Sequence, residues 1–243
     1  MSTKFSNDRW SFHKTATGDY YLPVDAPNDI IRCTIIQNGV FEPQIYLTAR
    51  KYIRPGTIVL DIGSNFGQMA ILMSMHVGIM GKVYAFEANE FVFETLKKNI
   101  KANNVPVVPV FGAVHNKPNE MLFFSEVDFK EFPTYGSYGI DYAEMQGTPV
   151  KSLIIDDIYF DRPISFMKVD VQGGDLFAMQ GAVKTIKKHQ MPIVFEFETH
   201  FQDRYKLCFQ DYVDFVQSID YYFAYIPKTN DFLVLPKAMR GKP

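Results

Sequence analysis

The chain has 243 residues, enough for one large domain or one domain with an N-terminal extension, but hardly for two. Its 25 Lys and Arg nearly balance 27 Asp and Glu, so a formal charge of -2 offers no cationic field for a nucleic-acid backbone. Hydrophobic residues at 47% and aromatic ones at 15% exclude disorder for most of the chain.

The first 30 residues show no sustained hydrophobic period and read as a surface extension, an arm or a lid. Residues 30–36 read as a short strand, Asn38-Gly39 as a turn, and 42–52 as a helix stopped by Arg54-Pro55-Gly56. Then strand 57–61 (TIVLD), an apolar helix over 68–77 and strand 82–87 (KVYAFE) alternate. Asn89 can cap a helix running to about residue 103. Glu90 and Glu94 stand early in it and Lys97, Lys98 and Lys101 late, as the helix dipole favours. A third strand is expected over 107–114.

Between 115 and 148 the rhythm breaks. This segment is rich in Phe, Tyr, Gly and Ser and contains Thr134-Tyr135-Gly136-Ser137-Tyr138-Gly139, the pattern of an irregular binding-loop insertion. Strand 164–170, helix 175–188, strand 192–198 and a helix from about 203 to 218 follow. A hairpin over 221–226 and 232–235 closes the chain. The expected fold is α/β, a doubly wound, mostly parallel sheet ending in an antiparallel hairpin.

Cys33 and Cys208 belong to no CxxC or Cys/His cluster and read as small core residues in a reduced compartment. The first ten residues lack the apolar run of a secretion signal. The apolar stretch 69–80 is too short for a bilayer and is broken by Ser74, His76 and Gly78. A cytoplasmic protein without a membrane span is expected.

The chemistry is carried by Asp61-Ile62-Gly63-Ser64-Asn65-Phe66-Gly67, between a strand and a helix. Gly63 permits a tight turn, and Gly67 lets the backbone approach a ligand at the helix N-terminus. Twenty residues on, Glu87 ends the next strand, where a carboxylate can accept both hydrogen bonds of a ribose diol. A dinucleotide loop would need G-x-G-x-x-G, and no Tyr precedes a Lys by four residues as in short-chain dehydrogenases.

The D-x-G-x-x-x-G loop resembles that of S-adenosylmethionine (SAM)-dependent methyltransferases with a Rossmann-like fold, and the terminal hairpin resembles their reversed last strand. More narrowly, VLDIGSNFGQMAI, VYAFEAN, FMKVDVQGGDLFAMQGA and PIVFEFE resemble successive blocks of the FkbM-type methyltransferases over about residues 41–198. That resemblance implies SAM as cofactor, S-adenosylhomocysteine as product and a hydroxyl acceptor, commonly on a sugar or natural product. It divides the chain into a cap over 1–40 and a methyltransferase domain over 41–243, with the 115–148 insertion facing the acceptor.

Carried over by position, Asp61, Gly63, Ser64, Asn65 and Gly67 would line the methionine and ribose end of SAM. Glu87 would hold the ribose hydroxyls, Asn89 would sit beside the adenosine, and Gly112 and Ala113 near the adenine. Asp170 would face the methionine amine or the acceptor, and Glu42 stands where the family often has an acid. Tyr135, Ser137, Tyr138 and Gln172 are the acceptor-side candidates. Gln172 departs from the family, which usually has Glu there. No metal is implied.

Methyl transfer is an in-line displacement, so alignment and water exclusion come first and a base near the acceptor hydroxyl second. Asp170 and His200 are the first candidates for that base, followed by Glu196, Glu198 and His115. Glu196 and Glu198 share a strand face, as do Lys168 and Asp170. One rival function is an RNA ribose 2'-O-methyltransferase, with Asp170 and Glu196 as its acids and Lys51 or Lys187 among its lysines. Another is a catalytically silent SAM-fold binding protein. Near-neutral charge favours a small-molecule or glycan acceptor over nucleic acid.

Overall fold

Strands β3 (Ile58–Ile62), β9 (Ile164–Val169) and β10 (Ile193–Phe195) are buried at every residue. Unbroken burial of this kind needs a sheet covered on both faces, as in parallel α/β folds. The computed structural model describes residues 4–142, 145–199, 205–229 and 231–241. Among these, a seven-stranded sheet has the order β11 (Tyr221–Ala224), β12 (Phe232–Pro236), β10, β9, β3, β4 (Lys82–Glu87), β5 (Val107–Phe111). Strands β4 and β5 extend one side in parallel, and β9 and β10 extend the other. Strand β12 runs antiparallel to β10, and β11 antiparallel to β12.

Alternate residues feed two cores. Ile58, Leu60 and Ile62 of β3 join Met167 and Val169 on one face, while Val59 joins Phe166 and Val194 on the other. Helices α3 (Gln68–Val77) and α4 (Glu90–Asn103) flank the first half of the sheet. Asn89 caps α4 by accepting from Phe91 and Val92 N–H groups.

Several elements differ from the sequence reading. Residues 30–36 form helix α1 (Ile30–Ile36), not a strand. Its β-branched composition is overridden by Asp29, whose carboxylate accepts from Arg32 N and caps the helix, and by burial of Ile31 and Ile35 four residues apart. Strands β1 (Trp10–Thr15) and β2 (Gly18–Pro23) form a hairpin in the segment that showed no period. Trp10 Nε1 donates to Thr95 Oγ1 at 2.7 Å, and Asn99 accepts from Tyr21 N at 2.6 Å, so the hairpin is fastened to α4. Helix α2 (Pro43–Tyr52) follows α1.

The expected third strand divides at Gly112, where φ is +148°. Residues after it form β6 (Ala113–Val114), which joins β7 (Met121–Phe124) and β8 (Thr148–Leu153) in a separate three-stranded sheet, order β6-β8-β7. The insertion is therefore partly regular. The helix expected over 175–188 is two, α5 (Asp175–Gln180) and α6 (Val183–His189). At the break a Cβ on Gly181 would lie 2.0 Å from the His115 carbonyl. Helix α7 (Phe209–Ser218) starts later than expected, and residues 203 and 204 lie outside the described residues. Among the described residues, no helix is long and apolar enough to cross a membrane.

Candidate active site

Strands β3 and β9 lie side by side while their following connections leave in opposite directions, and a cavity of about 580 Å³ opens at their C-terminal ends. This is the switch point where parallel sheets bind ligands. The loop after β3 fits because Gly63 has no side chain. Its φ is +83°, and a Cβ there would lie 1.8 Å from the Asp170 carbonyl. Asp170 N in turn donates to Ile62 O at 2.9 Å, so the ends of β3 and β9 brace one another.

Gly67, φ +86°, starts α3, and a Cβ on it would meet Leu96 Cδ1 at 2.4 Å. Three non-glycine residues of the cavity wall also take left-handed backbone: Glu42 (φ 50°), Asn65 (φ 49°) and Gln172 (φ 51°). Such positions cost roughly 1–3 kcal/mol each and gather where a site imposes its geometry.

Glu87 lies at the end of β4, only 8% exposed. Its Oε2 accepts from Asn65 N at 3.0 Å, and its Oε1 from Ala88 N at 2.9 Å and Asn89 N at 2.8 Å. A carboxylate has about four acceptor places. Three are taken, so the acid expected to receive both ribose hydroxyls has room for about one further donor and also fixes the glycine loop. Burial pushes its pKa up to about 7 against the pull of these N–H groups.

At the end of β9, Lys168 is 4% exposed and its ammonium lies 2.6 Å from Asp170 and 3.5 Å from Glu42. Burial opposes its charge, but Asp170, Glu42 and Asp61 outweigh that and hold its pKa well above the ordinary lysine value. Burial pushes Glu42 up to about 7, with Lys168 pulling against it. Gln172 Nε2 donates to Asp170 Oδ1 and to Glu196 Oε2, each at 3.1 Å. Glu196 is pushed up to about 10 by burial and by Asp170, Asp175, Glu198 and Asp231.

The cavity wall includes Glu42, Gly63, Ser64 and Asn65 at one end, with Glu87, Asn89, Gly112 and Ala113 beside them. Asp170, Gln172, Tyr135, Ser137 and Tyr138 line it too, as do Glu196 and Glu198. Two expected site residues are not on the wall. Asp61 is fully buried beneath the loop, pushed up to about 6 by that burial, and neither of its carboxylate oxygens has a hydrogen-bond partner. Gly67 is turned against Leu96 instead.

His200 lies outside the described residues. His115 is off the wall, clustered with the rings of Tyr142 and Phe177, which also touch each other. Lys51 and Lys187 are off the wall as well. The Tyr135 hydroxyl donates to Asp25, and the Tyr138 hydroxyl to the Asp128 carbonyl. Both tyrosines therefore offer rings to the cavity, with their polar ends already engaged.

Sequence reasoning missed Ile30 and Ile31 of the N-terminal segment, Phe41 just after it, and Phe132 and Thr134 of the insertion. The Asp29 cap and the Ile31/Ile35 spacing were the available signal for the first group. Among the described residues no group of three or more His, Cys, Asp or Glu is arranged to hold a metal ion.

A parallel sheet with a reversed last strand, a D-x-G-x-x-x-G loop at the switch point and a strand-end acid together define a Rossmann-like SAM-dependent methyltransferase. The family model for the methyltransferase FkbM domain matches residues 61–228, and the chain belongs to that family. Its cofactor is SAM.

No curated protein sequence is significantly similar to the chain. Among solved structures, the methyltransferase FkbM from Methylobacillus flagellatus KT is 16% identical, with a TM-score of 0.48 over 78% of this chain and 50% of that one. This chain thus spans half the length of that protein. TYW2 of M. jannaschii, in complex with AdoMet, is 12% identical, with a TM-score of 0.44 over 96% of this chain and 87% of that one.

The residues present fit the cofactor. The cavity volume lies within the about 300–1,000 Å³ of small-molecule sites. Its wall carries Glu42, Glu87, Glu131, Asp170, Glu196 and Glu198 against the single lysine Lys168, and the unpartnered Asp61 carboxyl lies beneath it. That surplus of acids suits a cofactor with a sulfonium and an ammonium group.

Proposed function

We propose that the protein methylates a hydroxyl of a sugar, a glycan or a small hydroxylated metabolite. The observation that carries this reading is the bridge from Gln172 to both Asp170 and Glu196 on the cavity wall. Asp170 already accepts from Lys168 and Gln172, whereas among the described contacts the Glu196 side chain accepts from Gln172 alone. Once ionised, Glu196 is thus the carboxylate with room to take a proton from an acceptor hydroxyl, and Asp170 is the residue that holds Lys168 and Gln172 in place.

The cofactor supplies an activated methyl on a positively charged sulfur, and its thioether product leaves without needing a proton. Gly63, Ser64 and Asn65 would line its methionine and ribose end, and Glu87 would take a ribose hydroxyl on its remaining acceptor place. Asn89, Gly112 and Ala113 would border the adenosine. Ser137 and the ring of Tyr138 would face the acceptor, while Tyr135, packed on Phe66 of the glycine loop, would close the cofactor end, and together they would keep water out. Glu42 would stay paired with Lys168. Residues 1–40 would act as a cap, since Ile30 and Ile31 already contribute to the wall.

The wall offers a phosphate no arginine and one lysine, Lys168, which is already paired with Asp170 and Glu42, and this favours an uncharged hydroxyl over RNA. The test is incubation of the protein and methyl-labelled SAM with a panel of glycans, small hydroxylated metabolites and RNA. Label on a hydroxyl of a glycan or metabolite is expected. Label confined to RNA establishes the ribose methyltransferase instead, and binding without transfer across the panel favours the silent protein.

A further inference from the structure

Asp29 has no exposed surface, and it serves two segments far apart in the chain. Its Oδ1 accepts from Arg32 N at 2.9 Å and caps α1. Its Oδ2 accepts from Thr134 Oγ1 at 2.9 Å and Tyr135 N at 2.8 Å, more than a hundred residues away. Four residues earlier, Asp25 Oδ1 accepts from the Tyr135 hydroxyl at 3.0 Å, while Arg9 pairs with its other oxygen.

These contacts place the 134–136 backbone across the cofactor end of the cavity. A Cβ on Gly136 would lie 3.1 Å from Ile31 Cδ1 and 3.6 Å from Asn65 Nδ2, so this turn touches both α1 and the glycine loop. The Tyr135 ring packs edge-on to Phe66 of that loop, with centroids 5.9 Å apart. Ile31, Thr134, Tyr135 and Gly136 all line the cavity, as do Gly63, Ser64, Asn65 and Phe66 of the loop.

We propose that Asp29 is a positioning residue that latches the 134–137 turn to α1, and that this latch roofs the bound cofactor and governs its entry and release. The proposal rests on the assignment of this cavity to SAM. A latch differs from a general structural support in one respect: loosening it opens the route in both directions, so association and dissociation both quicken while the ratio of the two changes little.

Asp29→Asn is the informative substitution. Asn caps a helix about as well as Asp, but its single amide oxygen cannot serve Arg32 N on one side and Thr134 Oγ1 and Tyr135 N on the other, so cap and latch can no longer be held together. Tyr135→Phe removes only the hydroxyl bond to Asp25 and serves as the second variant should the first fail to fold. The probe is tritiated S-adenosylhomocysteine, with binding followed directly and dissociation followed by chase with excess unlabelled compound. Melting of the free proteins is measured alongside.

Expected are a dissociation rate at least tenfold faster for Asp29→Asn and about threefold faster for Tyr135→Phe, with association quickened in parallel. Rates within twofold of wild type in folded variants overturn the proposal. So does a faster dissociation with unchanged association, which marks loss of direct binding contacts. A wild-type protein that binds no S-adenosylhomocysteine overturns the cofactor assignment itself, and the latch with it.

Discussion

Gln172 Nε2 lies 3.1 Å from both Asp170 Oδ1 and Glu196 Oε2, and an amide nitrogen has only two protons to give. Both are spent on holding two carboxyl groups that would otherwise repel. A Glu at this position would add a third carboxyl and remove the donor, so the departure from the family pattern has a local rationale. Its consequence for Glu196 is testable. Glu196 has a folded-state pKa of about 10 against an ordinary 4.5, chiefly through burial and then through its acidic neighbours. A raised carboxyl pKa means that the folded state binds the proton more tightly than the unfolded one, so this group's contribution to stability falls as pH rises above the unfolded value.

Glu196→Gln keeps the shape and removes that penalty. Its melting temperature should match wild type near pH 4.5 and exceed it by a growing margin up to pH 8. Methyl transfer should fall by about 10²–10⁴-fold, the usual range for losing a general base. The wild-type rate should climb with pH through neutrality as the carboxyl ionises, and the variant should lose that climb. A variant that melts lower than wild type at pH 8 would contradict this account of the residue.

Among the elements, the loop after β3 joins a conformational requirement to a packing one. Gly56 and Gly63 both have positive φ, +76° and +83°, but a Cβ on Gly56 meets nothing within 4 Å, whereas one on Gly63 meets the Asp170 carbonyl at 1.8 Å. Gly56→Ala should cost about 1–2 kcal/mol for its backbone alone. Gly63→Ala should cost about 2–6 kcal/mol, because overpacking is added. Urea denaturation of the two variants compares them, and equal losses would show that β3 and β9 do not approach so closely.

This loop and its flanks were legible in the sequence because their signals are local. Helix α3 and strand β4 fall where the apolar pattern puts them, and Asn89 caps α4 as its position suggests. Helix α1 was not legible as a helix. Ile30, Ile31, Thr34, Ile35 and Ile36 are β-branched, and only the cap at Asp29 and the partner surface for Ile31 and Ile35 make them helical. The β1–β2 hairpin escaped for a related reason. Its two-residue turn is Ala16-Thr17, with none of the Asn-Gly or Asp-Gly chemistry that marks such turns, and its stability comes from α4, far away in sequence.

At the scale of the whole molecule, the overall charge of -2 hides a local imbalance, since the cavity gathers carboxyl groups around one buried lysine. Composition suggested an uncharged acceptor through neutrality, while the cavity favours the same choice because its one lysine is already paired. The parallel sheet and its reversed final strand could be read from alternating patterns along the chain. The contribution of residues 1–40 to the cavity could not, because it depends on contacts such as Asp29 with Tyr135 between segments more than a hundred residues apart.

The central claim is that this cavity holds a SAM-type cofactor through the glycine loop and Glu87, and titration calorimetry tests it most directly. S-adenosylhomocysteine should bind with a stoichiometry of one and NAD should give no heat. Glu87→Ala leaves the N–H groups of Asn65, Ala88 and Asn89 without their acceptor. With the loop unpinned and the ribose hydroxyl deprived of a charged acceptor, a bond of about 1.5–3 kcal/mol, binding should weaken by at least tenfold. Heat with NAD and none with S-adenosylhomocysteine, or Glu87→Ala binding as tightly as wild type, would contradict the account.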